Sequence, residues 1–574
     1  MNSFKNKFKK DISNIFLYKK PEKYEFTLPS FSPNSEDGCN DLPFDIELEV
    51  TNQDIDTDIN KNLDFIKVKY NSLINSDIDI REFSINVRDK KYNAFLIYID
   101  GMANTDSINN FILKPLMLRN RANTYDKRND DKITKNSENV EVAKNDSFNL
   151  EEHISNCLLP ENKVTSYESF SDVISDVNVG NCALFVDSLN VAFSIDVKNF
   201  KQRSISQPQN EIIIRGSQEA FVEALRTNTS MLRRAINNED LIIENSIVGK
   251  ISHTKIAICY MKNIANADLV SEVQYRVNNL DIDYLISSGQ LEQLIQDSEY
   301  SLFPQVIATE RLDKASNYLL DGRVVVIVNG SPYVLIMPGV LNDFLSSPED
   351  INLKFQFSNL TKIIRLISAF LSILLPGLYV AITNYHQELI PTELLFAIAS
   401  SREAVPFPII FEILIMEIAF ELIREAGLRV SSPIGPTIGI VGALILGEAA
   451  VSANVVSPIL IIIVAITGLC SFAIPDLSLN FTFRILKFWY LFLGYICGFL
   501  GIGLGLFIQL SALSGLTSFG APYIIPYLSK GNSRTQNSYF IFPTWKRERK
   551  PSFLNAKKPY SQEKISMRWK NSNK

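Results

Sequence analysis

The sequence predicts an α+β cytosolic region of two mixed modules followed by an all-α polytopic membrane domain of about four to five helices. Three observations predict it. From Ile363 onward the chain contains the runs 366 to 387, 430 to 447, 449 to 475 and 488 to 529, and none of them holds an Asp, Glu, Lys or Arg. About 20 apolar residues of helix suffice to cross a bilayer core. Before Ile363, short apolar segments alternate with turn signals, as in compact modules of strands and helices. From residue 529 the chain carries twelve Lys and Arg against only Glu548 and Glu563, a basic tail suited to the cytoplasmic face of a membrane.

Residues 1 to 58, rich in Asn, Asp, Ser and Lys and containing Pro21, Pro29, Pro33 and Pro43, read as a disordered polar arm. A first cytosolic α/β module is expected over 59 to 178. In it DFIKVKYNSLI suits a helix, REFSINVR alternates as a strand does, and NAFLIYIDG is a buried strand ending in a turn. The segment 118 to 150 is too polar for a core and is expected as an insertion. A second α/β module is expected over 179 to 345. ALFVD and VAFSI flank SLN as a hairpin, and Phe221, Val222, Leu225, Leu232 and Ile236 form a helical stripe with Arg226, Arg233 and Arg234 off it. KIAICYM is another strand. VVVIV and PYVLI flank NGS, where Asn329-Gly330 supplies the positive φ of a tight hairpin. Strand ends of one kind (IYIDG, LFVDS, VIVNG) leave two similar modules open, but such ends are common.

The membrane domain is expected over 346 to 528, with spans near 363 to 383, 434 to 452, 453 to 474 and 485 to 510. Arg365 lies one turn inside the first and can snorkel to the interface, and Pro376-Gly377 should kink it. The helix 405 to 425 is interfacial or membrane-embedded, because it carries Glu412, Glu417 and Glu421 among apolar residues. At 100° per residue Glu417, Glu421 and Arg424 fall within about 60° of one another, with Glu412 facing away. One reading makes these charges an ion pathway or a conformational latch; the blander one is an amphipathic helix with a solvated acidic face.

In IGPTIGIVGALILGEAAVSA, Gly435, Gly439 and Gly442 form a small-residue stripe that lets helices approach closely. Beside it run Ile434, Ile438, Val441, Ile445 and Glu448. Around an axis of several copies this second stripe would line an apolar constriction with an acidic ring at one mouth; alternatively it faces lipid, with Glu448 at the headgroups. The final run, broken by Pro522 and Pro526, reads as re-entrant or interfacial. Four spans place the N-terminal region and the basic tail, 529 to 574, on the cytoplasmic side together.

The totals exclude several classes. Six scattered cysteines (39, 157, 182, 259, 470, 497) imply no disulfide framework, and the basic N-terminal segment lacks the apolar core of a secretory signal. No nucleotide, zinc-protease or esterase motif occurs, and His153, His253 and His386 are the only histidines. Balanced charge without aromatic interleaving argues against nucleic acid. The chain reads as no enzyme, with no cofactor and no metal site.

A series of segments in one order carries a resemblance. It comprises IYIDG with ILKPLM, NEIIIRGSQEAFVEAL with TNTSMLRR, PQVIATERLD, DGRVVVIVNGSPYVLIMP, HQELIPTELL, SREAVPFP, FELIREAGLR, IGIVGALILGEAAVSANVVSP and SFGAPYIIPY, and it spans about residues 60 to 528. Together they resemble the A subunit of the GerA-type nutrient germinant receptors of endospore-forming bacteria. The resemblance implies a multi-pass protein of the spore inner membrane with its N-terminal region on the core side. Its implied partners are a transporter-like B subunit, a lipoprotein C subunit, membrane lipid and further copies of itself, with monovalent cations as permeants of a ring. ERLD stands where the pattern leads one to expect ERPD, and NGS where Asp-Gly is usual. The competing function is a non-conducting scaffold linking a nutrient-binding partner to an effector, with Arg215, Glu223 and Arg311 as its surface. Neither reading names the nutrient.

Overall fold

The computed structural model describes residues 26–28, 53–87, 90–118, 150–160, 163–198, 208–429, 442, 445–525, 540–544 and 549–561. Most of the expected arm, of the insertion 118 to 150 and of the basic tail lies outside them.

In the first module α1 (Ile59–Lys69) is capped by the Asp58 carboxylate, which accepts from Asn60 N. β1 (Ile78–Val87) and β2 (Lys90–Ile99) pair in antiparallel register over ten residues each. With β3 (Val164–Tyr167), β4 (Cys182–Val186) and β5 (Ala192–Ile195) they form an antiparallel sheet of order β1-β2-β4-β5-β3. Alternation buries both faces: Cys182, Leu184 and Val186 join one core, and Ala183 and Phe185 join another beneath α2 (Phe170–Asn178).

The expected boundary at 179 therefore moves. β4 and β5, assigned by sequence to the second module, belong to the first, because Phe95 and Leu96 of β2 pair with Phe185 and Leu184, and Thr165 of β3 pairs with Ser194. Alternation identifies a strand without saying which sheet it joins.

The second module contains α3 (Leu225–Ala235), β6 (Leu241–Val248), β7 (Thr254–Met261), α4 (Ala267–Asn278), α5 (Ser288–Ile295), β8 (Ile307–Thr309), α6 (Leu312–Asp321), β9 (Val324–Val328) and β10 (Val334–Met337). Its sheet order, β6-β7-β9-β10-β8, repeats that of the first sheet strand for strand. The β9–β10 turn uses Gly330 at φ 90° as the sequence requires. One face of this sheet shares a continuous apolar core with Ala369, Ile373, Leu479, Phe483, Tyr490 and Leu513 of the C-terminal helices.

Those helices are α7 (Phe355–Tyr385), α8 (Thr392–Arg402), α9 (Ile409–Arg429), α10 (Pro458–Phe472) and α11 (Leu477–Ser514). α7 and α11 are long and apolar enough to cross a membrane by length and composition. α7 continues as helix through Pro376.

The sequence reads 485 to 510 as one span, but α11 reverses. Gly498 takes φ 59° and ψ −140°, a combination that any Cβ would make costly. In a straight helix Tyr490 and Gln509 would stand about 28 Å apart, yet the Tyr490 hydroxyl bonds the Gln509 side chain, and a Cβ on Gly505 would stand 2.7 Å from Leu493. The limbs 477 to 497 and 499 to 514 are thus antiparallel. The first runs alongside α7 in the same direction: Gly494 packs on the Gly377 carbonyl, and Tyr385 Oη donates to Tyr495 O at 2.7 Å near the reversal.

Beyond α11 the run 515 to 525, expected as re-entrant or interfacial, packs on the second module. Ser518 Oγ donates to Gln305 O at 2.6 Å, Leu341 N donates to Tyr523 O at 3.0 Å, and Arg276 stacks on Phe519 at 4.3 Å. The end of the chain follows, with Leu554 fully buried and Phe553 nearly so in the second module.

Candidate functional site

The charges that sequence singled out divide into two buried groups. α9 presents Glu417 and Glu421 one turn apart, and the first limb of α11 presents Arg484 and Lys487 across from them. Lys487 Nζ lies 2.6 Å from Glu417 Oε2 and 3.2 Å from Glu421 Oε1, and Arg484 Nη2 donates to the other Glu421 oxygen. Arg424 stands 3.7 Å from Glu421, donates to Ser471 Oγ of α10 at 2.6 Å and stacks on Phe420 and Phe472. Glu417 is only 1% exposed, and its Oε1 has no hydrogen-bond partner.

Two carboxylates and three cations therefore tie α9, α10 and α11 together, with Glu417 and Lys487 buried and Glu421, Arg424 and Arg484 part-buried. Removing one member of such a buried pair leaves an uncompensated charge, which costs about 3–5 kcal/mol. The two sides separate only if the charges regain water or change partners, the property of a latch.

Glu412 belongs to a second group. It is fully buried, takes Arg402 Nη2 at 3.2 Å and accepts from Ser457 N at 3.1 Å. Ser457 precedes α10, so the carboxylate sits at a helix N-terminus, where the backbone dipole favours an anion. The expectation of a solvated acidic face fails for both groups, because these carboxylates are buried against neighbouring helices.

The structure thus brings Glu417, Glu421 and Arg424 together and keeps Glu412 apart. Of the stripe, Ile434, Ile438 and Val441 lie outside the described residues, whereas Ile445 and Glu448 are exposed. Arg484 and Lys487 had read only as the entry of a span. Their spacing, three apart on one helix opposite acids four apart on another, is the signal that identifies them.

Where the helices meet the second module, further buried pairs hold the joint. Arg365 Nη1 bonds Asp350 Oδ2 at 2.6 Å. Arg323, fully buried, donates to Pro338 O and Asp343 Oδ2, both at 2.6 Å, and stacks on Tyr318 at 4.3 Å. Thr482 Oγ1 donates to Leu302 O. On α5, burial and the nearby Asp476 carboxylate push Glu292 up to about 7.

Known proteins resemble this chain over most of its length. The family model described as Bacillus/Clostridium GerA spore germination protein matches residues 64–553. Spore germination protein KA of Bacillus subtilis (strain 168) is 36% identical over 84% of this chain and 84% of its own length. Spore germination protein B1 of the same organism is 32% identical, covering 87% of this chain and 97% of its own. Spore germination protein A1, also from that organism, is 38% identical over 68% of this chain and 80% of its own. The solved N-terminal domain of the A subunit of the Bacillus megaterium spore germinant receptor GerK3 covers 50% of this chain and 96% of that structure, at 28% identity and a TM-score of 0.34.

Proposed function

Because the chain belongs to the GerA family of spore germination proteins, we propose that it is the A subunit of a nutrient germinant receptor that assembles as a cation-releasing ring in the spore inner membrane. Its sensing partners are a transporter-like B subunit and a lipoprotein C subunit. The observation that carries this reading is the shared core: one face of the second sheet, α7 and both limbs of α11 form a single packed body. A rearrangement on the cytosolic side then has a rigid path into the membrane.

α7 and the first limb of α11 start from the second module, and the second limb returns to it. An even number of crossings follows, with the N-terminal region and the segment 549–561 on the core side. The buried set Glu417, Glu421, Arg424, Arg484 and Lys487 acts as the latch of the closed state. Ile434, Ile438, Val441, Ile445 and Glu448 face the axis of the ring.

The test is oligomeric state in mild detergent together with ion flux from proteoliposomes, with and without the B and C subunits. A closed oligomer whose flux responds to nutrient supports the reading, and Val441→Ala should raise spontaneous release. A monomer, or no flux under any condition, leaves the non-conducting scaffold. For the scaffold Glu448→Gln is silent while changes at the exposed Arg215 and Glu223 break the complex; Arg311, fully buried and bonded to Ser217 O and Asp313, would report on folding instead.

A further inference from the structure

The second sheet has two unlike edges. β6 turns toward the first module, where Ser76 N donates to Ile243 O at 3.0 Å. β8, the opposite edge, turns toward the helices: Leu302 just before it meets Thr482, Gln305 meets Ser518, and Lys314 just after it lies in the field of Asp476. The chain covering this edge is the segment 210 to 216. Glu211 Oε2 accepts from Thr309 Oγ1 and from Glu310 N, Ile214 N donates to Glu349 Oε1 at 2.6 Å, and Asn352 Nδ2 donates to Arg215 O at 3.2 Å.

Residues 349 to 352 are level with the first turns of α7, because Ser358 Oγ reaches Asp350 O at 2.8 Å and Arg365 reaches its carboxylate. The β8 edge and its cover therefore lie at the depth where α7 and α11 leave the second module. At that depth several large apolar side chains face outward, among polar ones that include Glu299, Asn352 and Gln356. Ile213 is buried while Ile212 and Ile214 on either side are exposed, Ile214 by 96%. Ile351 and Phe357 continue the patch onto α7, and Tyr300, 83% exposed, with Leu302 flanks the entry to α11. Arg215 and Lys354 stand exposed among them. Scattered exposed apolar residues need no explanation, but a set gathered at the mouths of two membrane-length helices, with cations interspersed, has the composition of an interfacial anchor.

We infer that the β8 edge of the second module is a lipid-docking collar, in which Ile212, Ile214, Ile351, Phe357, Tyr300 and Leu302 enter the headgroup and upper acyl region of the bilayer. Arg215 and Lys354 meet anionic headgroups there. The inference rests on the membrane reading above and adds to it a second contact with lipid, made by the cytosolic module itself. It fixes the tilt of that module on the membrane and so the angle at which motion reaches α7.

The full-length protein, reconstituted in phosphatidylcholine and phosphatidylglycerol vesicles doped with a lipid carrying a diazirine near its glycerol backbone, is irradiated and its lipid adducts are mapped by mass spectrometry. Ile247 and Ile251, exposed by 62% and 74% on the opposite edge of the sheet, serve as controls. Adducts on 210–216, 300–302 and 351–357 at ten times the control level or more are expected, and the double variant Ile212→Asp, Ile214→Asp should lose them on its own segment while keeping those on α7. Labelling of α7 and α11 with only control-level adducts on the collar overturns the inference while leaving the membrane reading intact. Absence of adducts on α7 and α11 overturns both. A photoreactive diazirine side chain introduced in place of Ile214 that crosslinks to protein and not to lipid overturns it in favour of a subunit interface.

Discussion

The two five-stranded sheets share one strand order and differ in what they touch. Each is antiparallel and buried on both faces. The first meets the second module through polar contacts: Arg233 binds Asp77 through Nε and Nη2, both at 2.8 Å, Lys69 and Asn178 reach Glu239, Lys262 reaches Asn71, and Arg226 pairs with Asp100. The second is entered from three directions, by α7, by α11 and by the segments after it. A fold that occurs twice is thus fixed differently each time: the first copy is held by polar pairs, and the second is built into the C-terminal helices through an apolar core. On the proposed receptor reading, transmission to the helices falls to the second sheet.

The largest effect should come from the joint of the second sheet. Arg323→Ala leaves Asp343 buried without its cation and removes the platform under Tyr318, a loss of about 3–5 kcal/mol. Thermal unfolding of the purified protein should show loss of the second module together with the helices in one transition. If the helices melt separately and unchanged, the shared core does not couple them. Arg233→Ala strikes the contact between the modules instead, where Asp77 is 9% exposed against 4% for Asp343, and about 2–3 kcal/mol is expected. Limited proteolysis should then release the first module while the remainder keeps its melting temperature. Asp77→Ala made in the Arg233→Ala background should recover part of the loss, because no unpaired charge is left.

The sequence made this contrast only half legible. Local apolar patterning and the Asn329-Gly330 turn identified seven of the ten strands in the two sheets and missed Val164–Tyr167, Leu241–Val248 and Ile307–Thr309. Membership of a sheet is a long-range property, so Cys182–Val186 and Ala192–Ile195 went to the wrong module. The same limit hid the reversal at Gly498, since an uninterrupted apolar run reads as one span whether or not it folds back. For the charges, helical periodicity correctly grouped Glu417, Glu421 and Arg424 apart from Glu412. Their burial depended on α10 and α11, whose placement no periodicity in α9 encodes. Arg233 read only as a cation off the apolar stripe for a similar reason: its partner Asp77 lies 156 residues away.

A smaller effect is expected at the reversal that returns α11 to the second module. Gly498→Ala places a side chain in a backbone region reserved for glycine and sets its Cβ 3.1 Å from His386, at a cost of about 1–3 kcal/mol. Ser518 should then lose its register against Gln305, read as faster hydrogen exchange at 517 to 523. Unchanged exchange there would mean that the second limb does not hold the tail in place.

The smallest effect, and the one that separates the two modules by pH, concerns Glu292 beside Asp476 at the foot of α11. Its carboxyl is raised from 4.5 to about 7 by burial and by that second carboxylate. Below pH 4.5 both folded and unfolded chains hold the proton, and the group is neutral toward stability. As pH rises toward 7 the unfolded chain ionises first, so the folded state loses ground through that window and carries the full penalty above it. The shift corresponds to up to about 3 kcal/mol at 1.36 kcal/mol per pH unit, and partial exposure of the side chain lowers this to about 1–2 kcal/mol. Glu292→Gln should therefore raise the melting temperature at pH 8 and leave it unchanged at pH 4, with the gain confined to the transition that includes the second module. A gain of equal size at both pH values would show that the substitution acts through packing, and that the foot of α11 carries no proton-linked strain.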